Sequence, residues 1–221
     1  MLMRKILVLV FILSCGASCA LAQESTIQKI ELTPFAGTRF GGKINATDQN
    51  NSAVDYLAIK SSIDYGALFD YTIWDNFQAE VMWVRQPTDL REHDSSNDTL
   101  GPPITTTKLD SFTFGAAYSF KPVEAKFKPF IAGGLGFTNF TNTDNPNNVF
   151  LGFHNRFTYN IGGGFKYYFS KYAGLRFDLR YAPTRTLPQN VLECGQFGCF
   201  QAVQTGHANQ GEANLGLILR F

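Results

Sequence analysis

Along this chain, apolar residues alternate with small or charged ones in stretches of about ten, the length a tilted β-strand needs to cross a bilayer. Eight such stretches can be read. The alternation is clearest over 173–182, where Leu175, Phe177, Leu179 and Tyr181 share one face and Arg176, Asp178 and Arg180 the other. The C-terminal stretch sets Leu215, Leu217, Leu219 and Phe221 against Asn214, Gly216, Ile218 and Arg220. Over 156–169, Phe157, Tyr159, Ile161, Phe165, Tyr167 and Phe169 oppose Asn160, Gly162, Gly164 and Lys166. The remaining strands are placed at about 30–40, 60–71, 77–86, 109–120 and 127–138.

The connections fall into two classes. Short ones at 72–76, 121–126 and 170–171 alternate with long polar ones at 41–59, 87–108, 139–155 and 183–210. Tight periplasmic turns and long external loops are the asymmetry of bacterial outer-membrane barrels. The pattern therefore predicts an all-β fold: an eight-stranded antiparallel up-and-down transmembrane β-barrel with both termini periplasmic. The 20 Gly fall largely on strands, where they relieve crowding, and 21 Phe with 9 Tyr supply lipid-facing and girdle residues. Pro34 and Pro129 sit inside proposed strands and predict local bulges, because proline gives no donor to a ladder. The competing architecture, a soluble periplasmic β-domain, would bury the apolar face and wet the charged one.

Residues 1–22 read as a cleaved secretory signal. Arg4 and Lys5 precede the apolar run Ile6 to Leu13, and Ala20-Leu21-Ala22 offers a small-x-small cleavage site at Ala22. Lipoprotein processing at Cys15 or Cys19 is a rival that the preceding residues fit poorly. The single remaining domain is 23–221, with no linker or composition break. Cleavage removes two of the 19 Lys+Arg and none of the 18 Asp+Glu, leaving a near-neutral chain unsuited to nucleic acid. Of the 4 Cys, Cys194 and Cys199 remain in the mature chain, and an oxidising compartment makes a local disulfide the natural reading. Zinc would need further ligands, and only His207 is near. No cofactor is implied.

The charges on the inward faces carry the sharper expectations. Glu31, Asp64, Asp70, Glu80, Asp178 and Glu212 face Arg39, Lys166, Arg176, Arg180 and Arg220, a balance suited to a lumen plugged by ion pairs. Asp70 and Glu80 flank the first short turn, as Lys166 and Arg176 flank the third. In a ring of eight, the second and third strands face the sixth and seventh, so an acidic hairpin looks across at a basic one. At closure, one antiparallel register pairs Glu31 with Arg220 and Arg39 with Glu212, sets Leu32 beside Leu219, and covers Gly216 with Phe35. Solvated strand ends and a gated ion path are the other readings of these charges; static pairing that specifies closure and blocks leakage is the one adopted.

The segments ELTPFAGTRFGG, GGGFKYYF, GLRFDLRY and LGLILRF resemble the small outer-membrane β-barrel family related to the transmembrane domain of outer membrane protein A. The resemblance covers nearly all of the mature chain. It implies a monomer embedded in outer-membrane lipid, an assembly signal at Phe221 read by the outer-membrane assembly machinery, and variable external loops. It carries no catalytic residues over. Small barrels also include lipid A deacylases and palmitoyltransferases, but His154 has no adjacent serine, and His93 and His207 lack an ordered acid and nucleophile. No peptidoglycan-binding module follows the barrel, which bounds the expected role.

Loop chemistry is what remains. Val191, Leu192, Phe197, Phe200 and Val203 make the fourth long connection more apolar than a solvated loop requires, suiting a self-packed loop core or a recognition surface. Asn142 to Asn148 read as a polar turn. The expectation is a structural or surface-interaction barrel, not an enzyme, that takes an extracellular ligand through its loops. A narrow pore for small solutes and a lipid A-modifying enzyme are the alternatives.

Overall fold

The computed structural model describes residues 29–45, 47–48, 56–94, 99–122, 124–142, 155–186, 191–195, 198–202 and 206–221. The expected leader with Ala22, all but the first residue of the Asn142 to Asn148 run, Phe197, Val203 and His154 lie outside them. The strands are β1 (Ile30–Gly41), β2 (Lys43–Asn45), β3 (Thr47–Asp48), β4 (Tyr56–Ile59), β5 (Ser62–Trp74), β6 (Phe77–Asp94) and β7 (Thr99–Ser119). They continue with β8 (Phe127–Asn142), β9 (Arg156–Tyr168), β10 (Ala173–Thr186), β11 (Val191–Gly195), β12 (Gly198–Ala202) and β13 (Gly206–Arg220). Among the described residues there is no helix.

Eight strands close a ring in the order β1, β5, β6, β7, β8, β9, β10, β13, every pair antiparallel. The distribution of polarity is inverted relative to a soluble β-sandwich. Leu135 and Ile161 are each 61% exposed on the outside, whereas Glu31, Asp64, Asp70 and Lys166 are 0% exposed within. An apolar exterior around a charged interior is the solution for hydrocarbon solvent, and it rules out the soluble alternative. Aromatic residues mark both edges of the apolar band: Trp74, Tyr118, Phe120, Phe169 and Phe221 at the periplasmic end, and Tyr65, Trp83, Phe112 and Phe137 toward the outside.

Two expectations about backbone are corrected. Neither Pro34 nor Pro129 produces a bulge: Pro34 pairs with Ala67 and Pro129 with Phe165 in unbroken register. Thr33 and Pro34 instead fall in a gap of the β1–β13 pairing, where proline supplies no N–H, and the register is the same on either side. The register shifts lie elsewhere, at Thr72/Trp74 and in the outer part of the β6–β7 pair.

The second correction concerns the long connections at 41–59 and 87–108, which are largely strand. β6 and β7 continue outward to Asp94 and from Thr99, and β4 pairs with β6 beyond the end of β5. β2 extends β1 past Gly41 and Gly42, whose φ angles of 80° and 98° place them where only glycine sits without strain. Backbone groups beyond the bilayer still need partners, and extending an existing ladder satisfies them without a new nucleus.

Candidate functional site: a charge-filled lumen

Inward side chains on β6, read from the periplasmic end, run Gln78, Glu80, Met82, Val84, Gln86, Thr88 and Leu90, all buried. A charged layer lies nearest the periplasm, and above it Phe35, Leu68, Met82 and Val84 form an apolar cluster on one wall. Beyond these come the Arg39–Glu212 pair and the Gln210–Gln86 hydrogen bond, and finally an apolar cap of Ile59, Leu90, Leu109 and Ala208 with Phe140 against it.

The charged layer crosses the lumen. Lys166 on β9 uses all three of its donors, to Glu31 Oε2 at 2.7 Å, Asp70 Oδ2 at 2.8 Å and Gln78 Oε1 at 2.7 Å. Arg176 on β10 donates to Asp70 at 2.7 Å, Glu80 at 2.6 Å and Asp178 at 2.5 Å. Arg180, one inward position beyond Asp178, donates to Glu80 at 2.6 Å and Asp178 at 2.9 Å, and reaches Asn160 at 3.2 Å. The acidic hairpin of Asp70 and Glu80, which are register partners, is thus clamped by the basic hairpin of Lys166 and Arg176, also register partners. With guanidinium and ammonium donors nearly all used, the layer is a connected unit, and removing one member leaves the others charged and buried.

At the closing seam Glu31 lies opposite Arg220 and Arg39 opposite Glu212, with Leu32 opposite Leu219 and Phe35 opposite Gly216. Arg220 Nε is 3.2 Å from Glu31 Oε1. Arg39 donates through Nε and Nη2 to Glu212 Oε2 at 3.1 and 2.5 Å, and through Nη1 to Ser111 at 3.3 Å. Asp64 is served less well: Arg39 Nε stands 4.0 Å away, and the Asn214 amide lies 3.3 Å from Asp64 Oδ1, to which it would donate once its oxygen and nitrogen exchange places. A residual cavity of about 10 Å³ beside Arg39, Met82, Ser111 and Glu212 is at the threshold for one water.

Sequence reasoning missed several members. Lys128 is buried at the periplasmic end with its ammonium 4.6 Å from the Tyr168 ring centroid, and the Arg220 guanidinium lies 4.5 Å from the same ring. Tyr168 Oη donates to Glu31 Oε1 at 2.8 Å. Arg156 is also buried and inward. Lys128 and Arg156 share the phase of known inward positions on their strands, so the alternation could have found them. Tyr168 likewise shares the inward phase of Lys166, two residues before it, although alternation alone does not say which acid its hydroxyl meets.

Cys194 and Cys199 are register partners in the β11–β12 hairpin, which β3 joins as a third strand. Their side chains, and those of Val191, Leu192, Phe200, His93 and His207, lie outside the described residues. Among the described residues no three His, Cys, Asp or Glu side chains are grouped to hold a metal.

A closed ring with lipid-compatible exterior and satisfied backbone defines a transmembrane β-barrel. The chain belongs to the outer membrane protein beta-barrel domain family, whose model matches residues 7–221, and its place is the bacterial outer membrane. Solved structures of similar fold include Neisserial surface protein A, at 16% identity and a TM-score of 0.52 over 87% of this chain and 97% of that one. The outer membrane protein OprG from Pseudomonas aeruginosa matches at 13% identity and 0.57, over 88% of this chain and 96% of that one. The outer membrane protein AlkL, solved in lipid bilayers, matches at 13% and 0.54 over 90% and 94%. At such identities the likeness is one of fold. No curated protein matches the chain.

Proposed function

We propose that this protein is a non-catalytic, monomeric barrel with a closed lumen, whose working surface is the external strand extension and its loops. The observation that carries this reading is the clamp of Lys166 and Arg176 on Asp70 and Glu80, which joins opposite walls across the lumen. The Arg39–Glu212 pair and the Ile59–Leu90–Leu109–Ala208 cap stack beyond it. A solute would have to break buried pairs in low dielectric and then pass an apolar constriction. Purified barrel in a planar lipid bilayer is expected to show no stepwise conductance; discrete, repeatable current steps would establish the pore reading in its place.

The reading extends to maturation. Residues 1–22 are removed after Ala22, Phe221 serves as the signal to the assembly machinery, and Cys194 and Cys199 form a disulfide that closes the outer hairpin. Antiparallel register partners have Cα atoms about 4.5–5.5 Å apart, inside the range a disulfide spans. Intact mass of the membrane-extracted protein, before and after reduction and alkylation, reads both points. The expected species begins at Gln23 and takes up label on two thiols only after reduction; a retained leader or freely labelled thiols would contradict them.

A further inference from the structure

On the inner face, one row of register partners runs from Asp64 on β5 through Gly37 on β1 and Asn214 on β13 to Asp178 on β10. Gly37 leaves this row open. A Cβ there would collide with Asn214 Oδ1 and Ala213 O, and without one the side chains of Asp64 and Asn214 meet over β1. The result is a cluster of oxygens. Asn214 Oδ1 faces acceptors only, 3.3 Å from Asp64 Oδ1 and 3.3 Å from the Ala213 carbonyl oxygen.

Asp64 is 0% exposed, and its Oδ2 has no hydrogen-bond partner among the described residues. A buried carboxylate in that state requires a counter-charge. Arg39 supplies little of it, because Nε and Nη2 go to Glu212 Oε2 and Nη1 to Ser111, leaving Nε 4.0 Å from Asp64 Oδ2. Arg180, the register partner of Glu212, is taken by Glu80 and Asp178. At this level two carboxylates, Asp64 and Glu212, therefore share one guanidinium, an excess of one negative charge. Exchanging the oxygen and nitrogen of Asn214 answers only part of the problem. The amide would then donate to Asp64 Oδ1 and Ala213 O, while Oδ2 and the excess charge stay as they were.

We infer that a monovalent metal cation completes this level of the lumen, held by the Asp64 carboxylate, Asn214 Oδ1 and the Ala213 carbonyl oxygen. Carboxylate, amide and backbone carbonyl oxygens are the ligands that hard cations take. Charge selects the class. One positive charge cancels the excess, whereas a divalent ion would overshoot it and meet the Arg39 guanidinium at close range. The ligands stand on β5 and β13 with β1 between them, so the site exists only in the folded barrel and the unfolded chain lacks it.

Binding to the folded state alone makes stability depend on the ion. The test follows urea unfolding of the barrel in micelles at fixed pH and ionic strength, with N-methyl-D-glucamine chloride replaced stepwise by sodium or potassium chloride. Once the site begins to fill, the unfolding equilibrium constant is expected to fall about tenfold for each tenfold rise in the metal ion. Asp64→Asn should abolish that dependence and, measured without metal, be no less stable than the parent, since a neutral amide needs no counter-charge. Asp110→Asn, which alters an acid held by Arg85 on the outer surface, should keep the dependence. A crystal soaked in thallium(I) should show an anomalous peak between Asp64 and Asn214, a readout that does not require the variant to fold. Stability indifferent to both metals, a dependence that survives Asp64→Asn, an Asp64→Asn barrel destabilised without metal, or no thallium peak at this place overturns the inference. Indifference to metal combined with a pH dependence that Asp64→Asn removes would assign the counter-charge to a proton, and overturns it equally.

Discussion

Arg176→Ala is expected to lower the unfolding free energy in detergent micelles by about 3–5 kcal/mol, the cost of stranding buried charges after removing their partner. Arg176 alone contacts Asp70, Glu80 and Asp178, and it packs 4.6 Å from the Phe130 ring centroid, so truncation removes charge and contact together. The effect depends on the acids that remain. Asp70→Ala combined with Arg176→Ala should cost less than the two single changes together, by about 1–3 kcal/mol. Urea titration of the folded barrel, followed by tryptophan fluorescence, gives all three values. Additive costs would show that the clamp is an assembly of independent surface-like pairs, which its burial argues against. The same reasoning separates stability from specification. Replacing the whole set by apolar side chains of matched volume can be neutral, so the network's contribution is to fix which wall meets which and to keep the lumen shut.

The second large effect falls on a glycine. At Gly164 on β9, the carbonyl oxygen of Phe177 in β10 occupies the space a Cβ would need, with the Asp178 Cα close behind. Both are backbone atoms of a paired strand, so they cannot swing aside. Gly164→Ala should therefore cost about 3 kcal/mol or more and deplete the heat-modifiable, fast-migrating form on gels of unboiled sample. Gly133→Ala supplies the contrast, because its Cβ would meet nothing nearer than Asn160 O at 3.3 Å. That change should stay within about 1 kcal/mol of the parent. If the two behave alike, close strand approach at Gly164 is not what the residue is there for.

The strand phases were legible because they are local. Outward Leu175, Phe177 and Leu179 against inward Arg176, Asp178 and Arg180 need only a period of two and a lipid solvent, and the structure buries and exposes them accordingly. Strand ends were less legible. The polar stretch after Gln86 looks like loop by composition, yet Thr88 and Leu90 continue inward and β7 pairs alongside, since a ladder already formed extends at little cost. Prolines misled in the opposite direction: Pro34 suggested distortion, but its effect depends on which neighbour would have received its N–H, and that is a property of the sheet.

The seam shows where the two kinds of information meet. Opposite charges at fixed spacing on the first and last strands define one register by themselves, because a slip of one residue would turn every inward charge toward lipid. Which acid each lumen cation holds is another matter. Lys166 reaches Glu31, Asp70 and Gln78, on three different strands, and Lys128 and Arg220 share the Tyr168 ring. Those choices follow from strand tilt and from how the closed ring staggers its walls, quantities that no single strand encodes. Sequence alone determined the inside-out barrel, its orientation and the placing of charge within it, because alternation and turn length act over a few residues. Only closure decided the wiring of the lumen, because it joins residues that lie on separate walls until the ring has formed.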